Sequence, residues 1–194
     1  MVLLAFYVVS NFFYMTLLPY RTQEVAKTVA ELRGRSGYLA VVNMMPLIVL
    51  AGRNNPLISL LKISFDNYNL FHRWIGRIVI FESLVHVCAW ASNYSAQHGI
   101  GALSSSFTDN VFLTSGLVGM LAMIVIVFQS LSAVRHAFYE TFLHLHILLA
   151  ALIFGGVYIH LDVEKLPALP YIQFVVMGWI AERVLRMILS FIHI

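Results

Sequence analysis

Residues 138–161 read FYETFLHLHILLAALIFGGVYIHL, and residues 70–92 read LFHRWIGRIVIFESLVHVCAWAS. Each is an apolar run of the length that carries an α-helix across a bilayer, about 20 residues at roughly 1.5 Å per residue. Each also holds two histidines at one spacing: His146 and His160 in the first, His72 and His86 in the second, 14 residues apart in both. Ligand-capable side chains are costly in lipid, so four of them in two such runs point to a function.

Four more windows of similar character, residues 1–19, 36–52, 110–131 and 170–192, predict an all-α fold, a six-helix transmembrane bundle over residues 1–194. Of the 194 residues 60% are hydrophobic and 11% charged, and mean hydropathy is +0.84; a soluble domain carries roughly 25% charge. Helices satisfy their own backbone groups in lipid, and no run alternates as a membrane barrel would. Gly52-Arg53-Asn54-Asn55-Pro56 is expected to stop the second helix, and Ser104-Ser105-Ser106-Phe107-Thr108-Asp109 to supply the N-cap of the fourth. Met1 opens an apolar run without a charged leader or cleavage site, which reads as a helix rather than a signal peptide, or as a cut in a longer protein. The single cysteine, Cys88, excludes a disulfide framework or thiolate cluster within the chain. The net charge of +3 is spread between apolar runs, which suits lipid headgroups and leaves no expectation of nucleic-acid binding.

Basic residues orient the bundle. One side carries Arg53, Lys62, Arg73, Arg77, Arg135, Arg183 and Arg186; the other carries Arg21, Lys27, Arg33, Arg35 and Lys165, offset by Glu24, Glu31, Asp162 and Glu164. The positive-inside rule makes the first side cytoplasmic, with both termini there. The basic link at 20–35 reads as an amphipathic segment on the outer surface, or as a sign that the first helix lies elsewhere.

Fourteen residues return a helical side chain to within roughly 40° of its starting direction and displace it by roughly 21 Å. Each helix thus offers two imidazoles on one face, near opposite membrane surfaces. One intervening helix makes the two histidine helices parallel, which levels His72 with His146 and His86 with His160. Two stacked bis-histidine sites result, the axial arrangement of a low-spin haem built for electron transfer. A buried histidine can instead bond a carbonyl or line a water pocket, but two equal spacings on two parallel helices weigh against that alone. Zinc and copper sites gather three or four ligands at one level, whereas each level here offers two. His144 lies about 200° around the helix from His146 and cannot join it. It reads as a packing or interface residue, while His98 in an outer loop, His136 in an inner loop and His193 at the chain end read as solvated.

Around these ligands, Arg53, Arg73, Arg77 and Arg135 lie at the level of the inner site, as partners for anionic propionates or as membrane anchors. The outer level offers Lys165, with Tyr94, Tyr158 or Asn93 as neutral donors. Glu82, one turn before His86, is placed to orient an imidazole, carry a proton or pair with an arginine. Glu140 suits the N-terminal dipole of its helix. Gly116, Gly119, Gly155 and Gly156 read as helix-packing residues.

Gly52-Arg53-Asn54-Asn55-Pro56-Leu57, Phe71-His72-Arg73-Trp74-Ile75-Gly76-Arg77 continuing to His86, and Tyr139-Glu140-Thr141-Phe142-Leu143-His144-Leu145-His146-Ile147-Leu148-Leu149-Ala150 continuing to His160 resemble fungal-type ferric reductases over roughly residues 36–160. The resemblance implies two b-type haems, the inner on His72 and His146 and the outer on His86 and His160. It implies electrons passing from NADPH through FAD and both haems to extracellular Fe(III) or Cu(II), at the plasma membrane. NADPH oxidases share the core, but their second histidine pair is usually one residue closer, so the equal spacing favours a metalloreductase over an oxygen-reducing oxidase. A histidine-based metal or proton transporter is the alternative from another class. No Gly-rich dinucleotide fingerprint occurs, so the FAD/NADPH domain is expected on a missing part of the protein or on a partner.

Overall fold

The computed structural model describes residues 2–21, 23–52 and 56–192, and every regular element among them is an α-helix. In chain order these are α1 (Val2–Thr16), α2 (Val25–Val49), α3 (Pro56–Leu61), α4 (Phe65–His98), α5 (Ala102–Asp109), α6 (Val111–Gln129), α7 (Ser132–Ala137), α8 (Tyr139–Val163) and α9 (Leu169–Ile192). Among the described residues α4, α6 and α8 are long and apolar enough to cross a membrane. The remaining apolar windows are helical too, but they fall short for physical reasons. α1 has only 15 residues; α2 opens with Lys27, Glu31, Arg33 and Arg35; α9 carries Glu182 with Arg183 and Arg186 paired to it.

Three local expectations change. The basic link at 20–35 is not separate from the second helix, because α2 begins at Val25. Its Ala, Glu, Leu, Lys and Arg content favours helix, and Lys27–Glu24 (4.0 Å) and Arg35–Glu31 (3.9 Å) pairs lie along it. The serine run is not a cap either: it forms α5, where Ser104, Ser105 and Ser106 each donate to the carbonyl three residues back. The cap of α6 is Asn110, whose side-chain oxygen accepts from the Phe112 amide at 2.8 Å. Finally, His98 ends α4 and stacks on Tyr94, and His136 lies within α7, so neither is in an irregular loop. Arg53-Asn54-Asn55, in the expected helix stop, and His193 lie outside the described residues.

The helices gather into two compact units, Met1–Trp90 with Pro170–Ile194, and Ala91–Leu169. In the first, α2 is the shared helix. α1 runs antiparallel to it: Tyr7 and Asn11 meet Asn43, while Arg35 reaches back to the carbonyl of Leu17 at 2.6 Å. α4 is also antiparallel, with His72 at Leu47, Glu82 at Asn43 and His86 at Arg33. Tyr171 of α9 meets Tyr38 hydroxyl to hydroxyl at 2.9 Å. Ala40, Val41, Met44, Ile75, Val79, Ile172 and Val175 form the buried apolar core of this unit.

In the second unit α6 and α8 are antiparallel neighbours. A Cβ on Gly156 would come within 2.8 Å of the Ser115 carbonyl oxygen and 3.1 Å of the Gly119 nitrogen, so the two backbones touch. Small residues that allow such approach are the usual means of joining helices in lipid, where apolar side chains gain nothing by leaving the solvent. The opposite face of α6 exposes Val118, Leu121, Val125 and Phe128, an i, i+3, i+7 stripe suited to acyl chains.

Candidate functional site

The four patterned histidines fall two on α4 and two on α8, and each helix has one neighbour that braces both of its imidazoles. In the first unit that neighbour is α2. His72 Nδ1 lies 3.1 Å from the Leu47 carbonyl oxygen and His86 Nδ1 lies 2.8 Å from that of Arg33. Leu47 sits in the last turn of α2, where carbonyls lack a helical donor, and the Ala51 amide that would serve it bonds Ile48 instead. In the second unit the neighbour is α6: His160 Nδ1 lies 2.7 Å from the Phe112 carbonyl oxygen, and His146 Nδ1 lies 2.9 Å from the side-chain amide of Gln129. Phe112 also stacks on the His160 ring, centroids 4.0 Å apart.

His86 and His160 are seated by the same local device on two different helices. Arg33 is followed by Ser36-Gly37, and Phe112 by Ser115-Gly116. Each serine lies against the carbonyl that accepts from the imidazole: Ser115 donates to Phe112 at 3.0 Å, and Ser36 donates to Leu32 at 2.7 Å with the Arg33 carbonyl 3.2 Å away. Each glycine, one turn beyond the carbonyl, leaves it uncovered. A Cβ on Gly37 would come 2.5 Å from His86 Nδ1, and one on Gly116 would come 2.9 Å from His160 Nδ1. Gly116 therefore seats an imidazole and is not simply a packing residue, while Gly119 and Gly156 do pack the helices together and Gly155 faces open space.

A carbonyl oxygen can only accept, so His72, His86 and His160 carry the Nδ1 proton and bear their lone pair on Nε2. Carbonyl bonding and metal ligation are thus compatible, because they use different ring nitrogens. This is the tautomer that a carbonyl behind a ligating imidazole imposes on it, and imidazole donors of this kind fit haem iron. Among the described residues no group of three or more His, Cys, Asp or Glu side chains is placed to hold a metal ion. His144 instead bonds its own helix, Nδ1 to the Glu140 carbonyl at 2.8 Å.

Glu82 pairs with no arginine among its observed partners. It is 2% exposed, and both of its oxygens accept from Asn43 Nδ2, at 3.1 and 2.9 Å. Asn43 also donates to Asn11 at 2.7 Å and accepts from the Tyr7 hydroxyl, which closes a buried polar cluster across α1, α2 and α4. Arg73 and Arg77 are exposed on one face of α4, and the Arg77 guanidinium lies 4.8 Å from the Trp74 ring centroid. Arg135 is in the last turn of α7, 3.4 Å from His136. At the other end Lys165 is paired with Asp162 at 2.6 Å.

Sequence reasoning did not single out Gln129, Gly37 or the two serines. The Ser-Gly dipeptides were visible, but only the pairing of α2 with α4 and of α6 with α8 reveals what they face.

Comparison with known proteins agrees with this architecture. Residues 36–157 match the family described as ferric reductase like transmembrane component. The chain is 31% identical over 175 residues to ferric reductase transmembrane component 3 of Saccharomyces cerevisiae, covering 90% of this chain and 23% of that protein. It is 31% identical over 168 residues to ferric/cupric reductase transmembrane component 2 of the same yeast, 87% of this chain and 22% of the relative. Ferric/cupric reductase transmembrane component 1 of Candida albicans is 28% identical over 167 residues, 86% of this chain and 21% of the relative. The chain thus spans less than a quarter of the length of these relatives. With α4, α6 and α8 of spanning length and the family match covering most of the chain, this is an integral membrane protein that belongs to the ferric reductase family of transmembrane components.

Proposed function

We propose that residues 1–194 form the haem-binding membrane domain of a ferric-chelate reductase, an oxidoreductase that carries electrons outward across the plasma membrane. In this reading α1, α2 and α9 join α4, α6 and α8 to make six spans. His72 and His146 are the axial ligands of the inner haem, and His86 and His160 those of the outer one. When bound, the two b-type haems supply one-electron chemistry between a cytoplasmic FAD/NADPH dehydrogenase module, on the same protein or a partner, and extracellular Fe(III) or Cu(II), free or chelated. The yeast relatives, a ferric and a ferric/cupric reductase component, support these acceptors.

The single observation that carries the reading is the bracing of the histidine Nδ1 atoms by α2 and α6. Held this way, each ring keeps one orientation, and the three bonded to carbonyls carry their lone pair on Nε2, the nitrogen that haem iron would take. Arg73, Arg77 and Arg135 serve as cationic partners for propionates at the cytoplasmic level. Lipid contacts the exposed apolar stripes, and the low dielectric around the helices keeps water from the path.

Replacing His86 with alanine tests the assignment in membranes that contain the protein. The expected result is loss of one of two haems together with loss of ferric-chelate reduction, the other haem being retained. A variant that keeps both haems contradicts the ligand set. Wild-type membranes that reduce oxygen but not ferric chelate contradict the acceptor, and a protein carrying zinc in place of haem contradicts the relay.

A further inference from the structure

We infer that Gln129 is a positioning residue for the inner haem: its side-chain carbonyl accepts the Nδ1 proton of His146 and so sets the donor strength of one axial ligand, an inference that rests on the relay reading above. Of the four patterned imidazoles, His146 is the one braced by a side chain rather than by a backbone carbonyl. Gln129 is the last residue of α6 and only 7% exposed. Thirteen residues after Gly116, at the other end of α6, no glycine uncovers the backbone, and an amide fills the gap to the ring instead.

The orientation of that amide decides the chemistry. With its Nε2 toward His146 Nδ1 at 2.9 Å, the imidazole would accept at Nδ1 and carry its proton on Nε2, where iron needs a lone pair. In that orientation Gln129 Oε1 is also buried without a hydrogen-bond partner, a costly state for a carbonyl. Amide oxygen and nitrogen are nearly equal in shape, and their assignment follows from the hydrogen-bond network. Turning the amide over gives Oε1 the Nδ1–H of His146 and puts the NH2 group where the oxygen stood, so the lone pair that iron needs on the imidazole Nε2 decides between the two orientations. The imidazole then has the same tautomer as His72, His86 and His160, with its lone pair on Nε2. An acceptor on the far nitrogen of a ligating imidazole raises its basicity, and a more basic axial ligand favours the ferric state.

A side chain can be changed where a backbone carbonyl cannot, which makes the inference testable in the full-length protein. Gln129→Met keeps length and volume but removes the acceptor; Gln129→Glu keeps an oxygen in the same place. The measurement is a redox titration followed in the haem bands, with low-spin electron paramagnetic resonance signals recorded on the same samples. Gln129→Met is expected to shift one of the two midpoints to higher potential, or to lose that haem, while the other midpoint stays at its wild-type value. Gln129→Glu is expected to retain both haems, with the affected midpoint at or below the wild-type one. Wild-type midpoints and signals in Gln129→Met overturn the inference, as does a Gln129→Glu protein that loses the same haem. Fewer than two haems in the wild type overturns the relay reading itself, an outcome distinct from either.

Discussion

Gly37 and Gly116 leave room that an imidazole occupies, and adding one methyl group at either would push the ring off its carbonyl. A Cβ 2.5 Å from His86 Nδ1 forces the ring or the helix to move, at a cost of about 1–3 kcal/mol for overpacking. Gly37→Ala is therefore expected to lose much of one haem, measured as haem per protein after purification. Gly34→Ala, three residues away with nothing within 4 Å of its Cβ, is expected to keep full haem and to gain slightly in helix stability. Equal haem content in the two variants would count against the seating of His86. At this scale the histidine spacing was legible, because periodicity alone puts two imidazoles on one face. The acceptors behind them were not, since two backbone carbonyls of ordinary residues, Arg33 and Leu47, acquire their role only when α4 lies against α2.

The polar cluster of Tyr7, Asn11, Asn43 and Glu82 ties three helices together where apolar packing gives little preference for one neighbour over another. Asn43 is its centre. Asn43→Leu would leave the buried Glu82 carboxyl without its two amide contacts, and an unmet group of this kind costs about 1–3 kcal/mol. The expected outcome is a loss of stability of that order in detergent unfolding with both haems retained, because the Nδ1 atoms of the patterned histidines are braced by Leu47, Arg33, Gln129 and Phe112. Stability within about 0.5 kcal/mol of wild type, the usual range for changes away from such features, would show that the cluster is incidental. Glu82 stood out in the sequence as a carboxyl inside an apolar run, but its partner did not. Asn43 is one asparagine in a window that also holds Pro46 and Gly52. Element boundaries were less legible where charge and helix propensity disagree: the first half of α2 is as polar as a loop and as helical as its Ala, Leu, Glu and Lys content allows.

Across the described residues each apolar window contains helix, and α4, α6 and α8 meet the length and apolarity of a span. The charges of α2 and α9 and the shortness of α1 kept those three below it. Each histidine helix is braced within its own unit, so the proposed pairing of ligands into two haem sites rests on the equal histidine spacings in the sequence and on membership of the ferric reductase family. The proposed relay needs two haems held on four histidines. A reduced-minus-oxidised spectrum of the purified protein, with haem and protein quantified on the same sample, tests it most directly. Two b-type haems per chain with low-spin bands are expected; one haem or none would rule the relay out.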